Sequence, residues 1–450
     1  MPNAKQSTTA EVFSQELASL EGTQALEAAI SAHEQGRFDE ALKGYNDLLK
    51  QQPNHAAALN AKAILLYQQD HVDEALPFAQ KAVAVAPQKP EYLNTLGLIQ
   101  RNMRQPLLAI KTFKAALKLQ PAYPEALSNI GLVYNDLQHP TKAAAYFKKA
   151  LKNAPNHVDI LLNLAHALRD CGKQEQALIY YKKLVDLQPD VARHALNLAI
   201  MHHSLAQFDE AITYFERVVQ LDPTDIGTQH LLKATRGDKE ASTVPDGYIS
   251  ELFDTYANHF DYHLHKLGYN VPAMLAARIP VVVAPQTKRG HWNMLDLGCG
   301  TGACGRLFKS ECRHMIGVDL SQQMVEKAQE HNVYDELHTT SIDDYFKNST
   351  ALFDLIFATD VLVYIGSLEK LFQQVAEHLK PGGLFAFSTE LCTPKEGDYV
   401  LRNSGRFAQS DPYVLRLTKQ AGLRKMINTD IAVRMGHNAP ILGKLYILKK

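Results

Sequence analysis

Prolines recur through the first half of the chain at a constant interval of 34 residues. They stand at Pro53, Pro87, Pro121, Pro155, Pro189 and Pro223. The same interval separates six alanines and, four residues after each, a mostly aromatic series: Ala41, Ala75, Ala109, Ala143, Ala177 and Ala211, then Tyr45, Ala79, Phe113, Phe147, Tyr181 and Phe215. A fixed period of this length requires a stack of similar units in this half of the chain.

A third series with the same period consists of small residues. Its members are Ala29, Ala63, Gly97, Gly131, Ala165 and Ala199. Small residues let two antiparallel helices approach closely, the aromatic residue fills the space between pairs, and proline ends the second helix. This pattern resembles the tetratricopeptide repeat from Gly22 to about Thr235, which implies an all-α solenoid of six repeats and a capping helix over Asp225 to Ala234. Residues 1–21 are predicted to be a polar tail.

Asparagines recur at the spacing of the repeat on the first helix of successive pairs, the helix that lines the concave face of such a solenoid. Asn129, Asn163 and Asn197 occupy equivalent positions, and Asn60 and Asn94 lie one position earlier in theirs. Asparagine offers a donor and an acceptor, which suits an extended peptide backbone. The array is similar to the asparagine ladder of O-GlcNAc transferases, which implies a bound protein or peptide; a tolerated polar surface is the alternative.

The charge balance argues against nucleic-acid and membrane partners. The 450 residues contain 47 Lys and Arg against 48 Asp and Glu, without a block of like charge. The five cysteines form no C-x-x-C pair, and His202 and His203 lack a third ligand at helical spacing, so neither a disulfide framework nor a metal site is expected. With no signal-like or membrane-spanning apolar run, the expected location is cytoplasmic.

A glycine-rich turn follows a hydrophobic strand in the second half of the chain. The strand is Met294 to Leu297, and Gly298, Gly300 and Gly302 follow it before a helix. Glycine lets the backbone turn sharply and approach a ligand, and the start of the helix supplies unpaired N–H groups. The turn therefore predicts a nucleotide-binding loop. Because Gly298, Gly300 and Ala303 also satisfy G-x-G-x-x-A, the turn alone fits a nicotinamide dinucleotide as well.

The surroundings of the turn favour a methyl donor. Asp296 gives the run LDLGCGTG, which resembles motif I of class I methyltransferases, whereas dehydrogenases usually lack this acid. Asp319 ends the next strand, where a carboxylate can accept both ribose hydroxyls, a feature that NAD enzymes share. FDLIFATDVLVYIG and LKPGGLFAFSTE resemble the family's fourth and fifth strands, and Met426 to Arg434 with Lys444 to Leu448 its closing antiparallel pair. The resemblance implies a Rossmann-like α/β domain over residues 248–450 with a mostly parallel seven-stranded sheet.

The resemblance also implies which residues hold the cofactor, S-adenosyl-L-methionine. They are Tyr256, Phe260, Asp296, Gly298, Cys299, Gly300, Gly302, Asp319, Leu320, Met324, Ser341, Ile342, Asp343 and Asp360. Asp296 and the glycines hold the methionine portion, Asp319 the ribose, and Met324 one adenine face. The family often has an acid after the third strand for the adenine amino group; residues 341–342 stand there here, with Asp343 as a substitute.

Two segments precede the predicted sheet. Residues 236–247 are polar, contain Pro245 and are predicted to be a linker. The next segment has an apolar helical face formed by Leu252, Phe253, Tyr256, Phe260 and Leu264. Its stretch FDTYANHFD is similar to methyltransferase segments that fold over the cofactor, so Tyr256 and Phe260 are expected to wall the methionine end. Ordinary packing on the domain is the alternative.

Methyl transfer needs little covalent help, because the sulfonium is already activated and the acceptor attacks the methyl carbon in line. Asp360 is the first candidate for a general base, and the others are Tyr364, His259, His263 and His437. The stretch CTPKEGDYVLRNSGRFAQS is the predicted acceptor loop, with Arg402 and Arg406 available to an anionic group; a plain surface loop is the alternative. The run ATDVLVY replaces the N-P-P-Y-like run of amide and adenine methyltransferases, which leaves oxygen, carboxylate, sulfur or amine acceptors.

As a whole the chain resembles bacterial proteins that fuse tetratricopeptide repeats to a methyltransferase domain. The sequence predicts an S-adenosyl-L-methionine-dependent methyltransferase whose repeats recruit a protein or peptide. Two alternatives stay open. One is a small-molecule methyltransferase that the repeats dock into an assembly, in which case removal of the residues before Asp246 leaves catalysis nearly intact. The other is a scaffold that binds the cofactor without turnover.

Overall fold

The computed structural model of the chain describes residues 9–283, 291–436 and 439–450, with side chains from residue 22 onward. The chain forms two compact units, divided between Met201 and His202. The boundary falls inside the last repeat, so that the sixth repeat contributes to both units.

The first thirteen helices of the described residues form the tetratricopeptide solenoid that the 34-residue period predicts. Their bounds are α1 Thr9–Glu34, α2 Phe38–Gln51, α3 Ala56–Gln68, α4 Val72–Val85, α5 Pro90–Asn102, α6 Pro106–Leu119, α7 Pro124–Asp136, α8 Pro140–Asn153, α9 Val158–Asp170, α10 Gln174–Leu187, α11 Ala192–Ser204, α12 Phe208–Leu221 and α13 Ile226–Arg236. Each periodic proline follows the end of an even-numbered helix, which its ring cannot continue. The first helix begins at Thr9, within the segment predicted as a tail.

The periodic small residues are required by the aromatic rings of the helix that follows. A Cβ placed on Gly97 of α5 would lie 2.5 Å from Cε1 of Phe113 on α6. One placed on Gly131 of α7 would lie 2.6 Å from Cε1 of Phe147 on α8. Both rings are fully buried. The alternation of small and aromatic residues therefore sets how closely the helices of a repeat pack.

The second unit begins with the end of the last repeat. It contains α12, the capping helix α13, and then α14 (Asp246–Tyr256), α15 (Phe260–Lys266) and α16 (Val271–Val282). The segment between α13 and α14, predicted to be a linker, is hydrogen-bonded to the α/β domain. The Val244 N–H donates to the Tyr364 carbonyl at 2.9 Å, and the Gly366 N–H donates to the Ser242 carbonyl at 2.8 Å. Residues 242–244 are called the strap below.

One mixed sheet forms the centre of the α/β domain. Its strands are β1 Trp292–Leu297, β2 Cys312–Asp319, β3 Glu336–Thr339, β4 Phe353–Ala358, β5 Leu379–Cys392, β6 Tyr399–Leu401, β7 Phe407–Ser410, β8 Arg424–Met435 and β9 Pro440–Lys449. The helices around it are α17 Ala303–Phe308, α18 Gln322–Glu330, α19 Ile342–Asn348, α20 Glu369–His378 and α21 Asp411–Gln420. The first five strands are parallel in the order β3-β2-β1-β4-β5. The Rossmann-like fold predicted from the sequence is thereby confirmed.

The far edge of the sheet is more elaborate than predicted. Leu384 to Glu390 of β5 pair with β9 in antiparallel fashion. Strand β9 pairs in turn with β8, which gives the predicted closing pair. The end of β5, from Glu390 to Cys392, pairs with β7 in parallel fashion, although Glu390 also pairs with Gly443 of β9. Strand β7 forms a hairpin with β6. This hairpin adds two short strands to the seven expected, and it is made of the stretch predicted to be an acceptor loop.

Apolar residues fill both faces of the sheet. Leu355 and Phe357 of β4 belong to one buried cluster, and Ile356 and Ala358 to the other. Successive side chains of a strand point to opposite faces, so a strand that is buried on both sides must be apolar at every position. The two clusters hold the carboxyl ends of the strands in place, and the polar residues of the candidate site follow those ends.

Candidate active site

A cavity of about 340 Å³ lies where the carboxyl ends of β1, β2 and β4 meet. Open α/β sheets bind their ligands at this edge, next to the point where the strand order reverses. Most of the predicted cofactor residues line the cavity, namely Phe260, Gly298, Cys299, Gly300, Asp319, Leu320, Met324, Ser341, Ile342, Asp343 and Asp360. Tyr256, Asp296 and Gly302 are not among the lining residues.

The glycine turn after β1 has a backbone that other residues adopt only with strain. Gly298, Gly300 and Gly302 have φ values of 66°, 51° and 89°. A Cβ on Gly298 would lie 2.3 Å from Cγ2 of Val361. The Gly298 and Cys299 N–H groups both donate to the Val318 carbonyl, at 2.7 and 3.0 Å, and tie the turn to β2. The turn therefore brings bare backbone to the edge of the cavity.

The carboxylate of Asp319 stands at the end of β2 and faces the same turn. Its Oδ2 accepts from the Gly300 N–H at 2.8 Å, and its Oδ1 accepts from the Ser321 N–H at 3.0 Å. Burial raises the pKa of Asp319, against the opposing effect of these N–H groups. Each oxygen keeps a lone pair for a ligand, which is the geometry that a vicinal diol requires.

Asp296 lies beneath the turn and is 1% exposed. The Tyr334 hydroxyl donates to its Oδ2 at 2.7 Å, and its Oδ1 has no hydrogen-bond partner within the described chain. Burial raises the pKa of Asp296 well above its usual range. Tyr334, which the sequence reasoning missed, also lies against α17: a Cβ on Gly305 would come within 2.6 Å of its ring. A lone tyrosine before β3 carries no motif that marks this role.

Helices α14 and α15 cover one side of the cavity. Ile249, Phe253, Phe260 and Leu264 line it. Tyr256 is a second layer, with its ring edge-on to Phe260 at 6.0 Å between centroids. Of the two aromatic residues predicted to wall the cofactor, Phe260 therefore lines the cavity and Tyr256 packs behind it.

Two aspartates bind these helices to the loops that follow β1 and β2. Asp254 Oδ1 accepts from the Ser321 hydroxyl at 2.6 Å and from the Gln323 N–H at 3.1 Å, at the start of α18. Asp261 Oδ1 accepts from the Thr301 hydroxyl at 2.5 Å, next to the glycine turn. The cover is therefore bound to both loops that shape the cavity.

Acidic side chains dominate the charge of the cavity. Asp246, Asp319, Asp343 and Asp360 line it, and Lys370 is the one basic lining residue in the described part of the chain. The Lys370 ammonium already pairs with Asp343 at 2.6 Å. Burial, together with the nearby carboxylates, raises the pKa of Asp246. The cavity therefore favours a ligand that carries positive charge.

Arg406 extends from β7 to the end of β4 and is 12% exposed. Its guanidinium pairs with Asp360, and it donates to Glu390 Oε1 at 3.0 Å and to the Tyr364 hydroxyl at 2.9 Å. Burial opposes the charged form, but the Asp360 carboxylate beside it raises the pKa of Arg406 overall. The expectation that Arg406 is available to an anionic acceptor needs correction, because two carboxylates and a phenol already occupy it. Arg402 likewise pairs with Glu396.

Tyr269, Thr359 and Cys304 line the cavity beside Asp360 and were missed from the sequence. Burial raises the pKa of Tyr269 well above its usual range, and it raises the pKa of Cys304 in the same way. Both groups therefore stay protonated. The Cys304 sulfur and the Thr359 hydroxyl lie 3.4 Å apart.

The positions of the candidate general bases distinguish them. His263 of α15 and His259, in the short turn between α14 and α15, are exposed and do not line the cavity. His437 lies outside the described residues. Tyr364 lines the cavity, but burial raises its pKa to about 12, so it holds its proton. Asp360 lines the cavity and has carboxylate oxygens that can accept a proton.

The predicted peptide-binding asparagines lie on the first helices of their repeats. Asn94 of α5 and Asn129 of α7 bond to each other: the Asn129 amide donates to Asn94 Oδ1 at 2.8 Å. Asn163 of α9 and Asn197 of α11 are half-buried. Asn60 of α3 is buried and its Oδ1 has no partner in the described chain.

No group of three or more His, Cys, Asp or Glu side chains within the described residues is arranged to hold a metal ion. None of the described helices combines the length and the apolar composition that crossing a bilayer demands.

Known family models match segments in both halves of the chain. A tetratricopeptide repeat model matches residues 26–90, 94–158 and 162–226, and a methyltransferase domain model matches residues 295–385. The crystal structure of PilW, described as a widely conserved type IV pilus biogenesis factor, aligns with 47% of this chain and 98% of its own at 21% identity, with a TM-score of 0.44.

Curated relatives are methyltransferases. A malonyl-acyl-carrier-protein O-methyltransferase of Enterobacter lignolyticus is 28% identical over 141 residues, which are 31% of this chain and 53% of that protein. Squalene methyltransferase 1 of Botryococcus braunii is 31% identical over 173 residues, which are 33% of this chain and 43% of that protein. The chain thus spans about half the length of these relatives. It combines an array of tetratricopeptide repeats with a methyltransferase domain.

Proposed function

We propose that this chain transfers a methyl group from S-adenosyl-L-methionine to an acceptor that its repeats help to supply. The charge of the cavity carries the proposal. Of its four lining carboxylates, Asp343 pairs with Lys370 and Asp360 pairs with Arg406, which leaves Asp246 and Asp319 without a cationic partner among the described residues. S-adenosyl-L-methionine carries a sulfonium and an ammonium beside one carboxylate, whereas a nicotinamide dinucleotide carries a negative pyrophosphate. Opposite charges attract strongly in a poorly solvated site, so the cavity favours the sulfonium nucleoside.

The residues present fit the parts of this cofactor. The unpartnered Oδ1 of Asp296 can accept from the ammonium group through a bridging water. Asp319 has lone pairs left for the ribose hydroxyls, and Met324 and Ile342 offer apolar surface to the adenine. When bound, the cofactor supplies a methyl group that is already activated by the positive sulfur.

The chain's own contribution is positioning and exclusion of water. Phe253, Phe260 and Leu264 cover the cavity on one side and keep solvent from the reacting atoms. Asp360 accepts a proton from an acceptor that carries one, and Arg406 holds its carboxylate in one orientation. Alignment of acceptor and methyl group accounts for most of the rate enhancement in a reaction of this kind.

A turnover assay tests this function. The purified chain is incubated with the cofactor and fractionated cell extract, and S-adenosylhomocysteine is measured. Gly298→Ala should abolish its formation, because the new Cβ meets Val361 at 2.3 Å. Gly422→Ala is the matched control: its φ is also positive, at 70°, but nothing lies within 4 Å of the added carbon. If no fraction yields product, or Gly298→Ala is as active as Gly422→Ala, the proposal fails.

The repeat array is proposed to recruit a protein that carries the acceptor. Its support is the row of asparagines on successive first helices, of which Asn94 and Asn129 already bond to each other. Replacing Asn129 and Asn163 by alanine in the full chain should reduce transfer of labelled methyl groups into extract protein without changing cofactor affinity. Asn153→Ala, on a second helix, is the control and should leave transfer unchanged. Equal labelling by all variants would contradict recruitment through this row.

A small-molecule acceptor is the second candidate, since one relative is named for squalene while another is named for a group held on a carrier protein. Extract incubated with labelled cofactor is separated into protein and small-molecule fractions. If the label is confined to the small-molecule fraction, the acceptor is a small molecule and the proposed protein acceptor is wrong.

A further inference from the structure

The hairpin β6–β7 carries Arg406 and ends in a tight turn. The Arg402 N–H donates to the Arg406 carbonyl at 2.9 Å, and the Gly405 N–H donates to the Arg402 carbonyl at 2.9 Å. Gly405 has a φ of 78°, which glycine adopts without strain. The place of this turn therefore decides where the Arg406 guanidinium lies relative to Asp360.

Two histidines from the last repeat helices hold the turn. His230 of α13 donates from Nε2 to the Gly405 carbonyl at 2.8 Å, and His203 of α11 donates from Nε2 to the Asn403 carbonyl at 2.9 Å. Because a carbonyl can only accept, each ring must carry its proton on Nε2. His230 is 3% exposed and its ring packs on Tyr248 of α14 at 5.4 Å between centroids.

A buried apolar cluster joins the same elements. It contains Ala234 of α13, Val244 of the strap, Ile249 of α14, and Leu401 and Phe407 of the hairpin. Ile249 also lines the cavity. Packing of this kind transmits displacement, since interiors are dense and leave little room for local adjustment. The capping helix is therefore continuous with the wall of the candidate active site.

We propose that His230 is a positioning residue for methyl transfer, so that the end of the repeat array is a working part of the active site and not a separate module. His230 fixes the hairpin turn, the turn fixes Arg406, and Arg406 orients Asp360 and Tyr364 through its hydrogen bonds. The inference rests on the proposed methyltransferase function. It predicts that loss of the His230 contact impairs the chemical step and spares cofactor binding, because His230 does not line the cavity.

Variants of the full chain test the proposal. His230→Leu removes the donor and should lower kcat about tenfold or more, with the dissociation constant for S-adenosyl-L-methionine nearly unchanged. His230→Gln should recover most of the loss, since an amide N–H can donate to the Gly405 carbonyl. His202→Leu is the matched control. His202 is next to His203 on α11, but its ring bonds to Gln207 just after the end of that helix, so its loss should leave kcat unchanged.

A double variant separates positioning from general destabilisation. Arg406→Lys should lower kcat as His230→Leu does, and the combination should lose no more than the worse single variant, because both act on one chain of contacts. Wild-type kcat in His230→Leu would overturn the proposal. So would a multiplicative loss in the double variant, or equal losses in His230→Leu and His230→Gln.

Hydrogen exchange distinguishes a failure of the proposed role of His230 from a failure of the proposed methyltransferase function. If the wild-type chain makes no product with any acceptor, amide exchange in residues 358–366 is compared between wild type and His230→Leu. Faster exchange there in the variant supports the coupling without any turnover. Unchanged exchange there overturns it.

Discussion

Replacing Asp319 by asparagine tests the cofactor assignment at a single side chain. In the structure each carboxylate oxygen accepts one backbone N–H, from Gly300 on Oδ2 and from Ser321 on Oδ1. Asparagine has one acceptor oxygen, so in either orientation its amide group faces one of these donors. The remaining oxygen then has to serve both the backbone and the ribose.

The magnitude follows from the bonds that change. A hydrogen bond to a charged group contributes about 1.5–3 kcal/mol, so losing one from a ribose hydroxyl should weaken cofactor binding roughly 10- to 150-fold. The stability of the free protein should change less. The variant leaves an N–H unsatisfied, but it also removes a buried charge whose pKa burial has raised. Cofactor affinity is therefore the sensitive measurement.

Isothermal titration calorimetry with S-adenosylhomocysteine measures the change, and Asp335→Asn serves as its control. Asp335 Oδ2 also accepts a backbone N–H, from Met315 at 2.8 Å, but Asp335 does not line the cavity. The control should bind like wild type. The reasoning is refuted if Asp319→Asn binds within about twofold of Asp335→Asn, since that leaves less than about 0.5 kcal/mol for the lost bond.

Three further predictions follow from burial and charge. Gly131→Ala should lower the free energy of unfolding by about 1–3 kcal/mol in urea titrations, because its Cβ would overpack Phe147; an unchanged midpoint would contradict this. Burial lowers the pKa of His230 below its ordinary 6.5, so stability should be full above that pH and fall as the medium becomes more acidic; the slope should be shallower in His230→Gln. Burial raises the pKa of Asp246 and Asp319, so affinity for the positively charged cofactor should rise with pH through the acid range, and a flat or falling profile in calorimetry would refute this.

The repeats and the glycine turn could be predicted because their determinants are local. Phe113 contacts Gly97 sixteen residues earlier, and Phe147 contacts Gly131 at the same separation, so the 34-residue period itself records the contact. The turn needs positive φ at Gly298 and a carboxylate at the end of β2, and both are visible as a motif. Local requirements of this kind leave regular spacing in a single sequence.

The rest of the site depends on residues that are far apart in the chain. Arg406 pairs with a carboxylate 46 positions earlier, and no spacing rule joins them. The strands β6 and β7 have three and four residues, too few for an alternating pattern to mark them against a loop. Residues 236–247 are polar enough to suggest a linker, yet the backbone groups of residues 242–244 bond to Tyr364 and Gly366 in the loop after β4. Tertiary contacts of this kind carry no periodic signal.

Direct titration of the purified full chain with S-adenosyl-L-methionine and, separately, with oxidised nicotinamide adenine dinucleotide tests the central claim. The acidic cavity, with Asp319 and the unpartnered Oδ1 of Asp296, predicts heat of binding at one site per chain for S-adenosyl-L-methionine, and none for the dinucleotide. Heat with the dinucleotide alone would contradict the account.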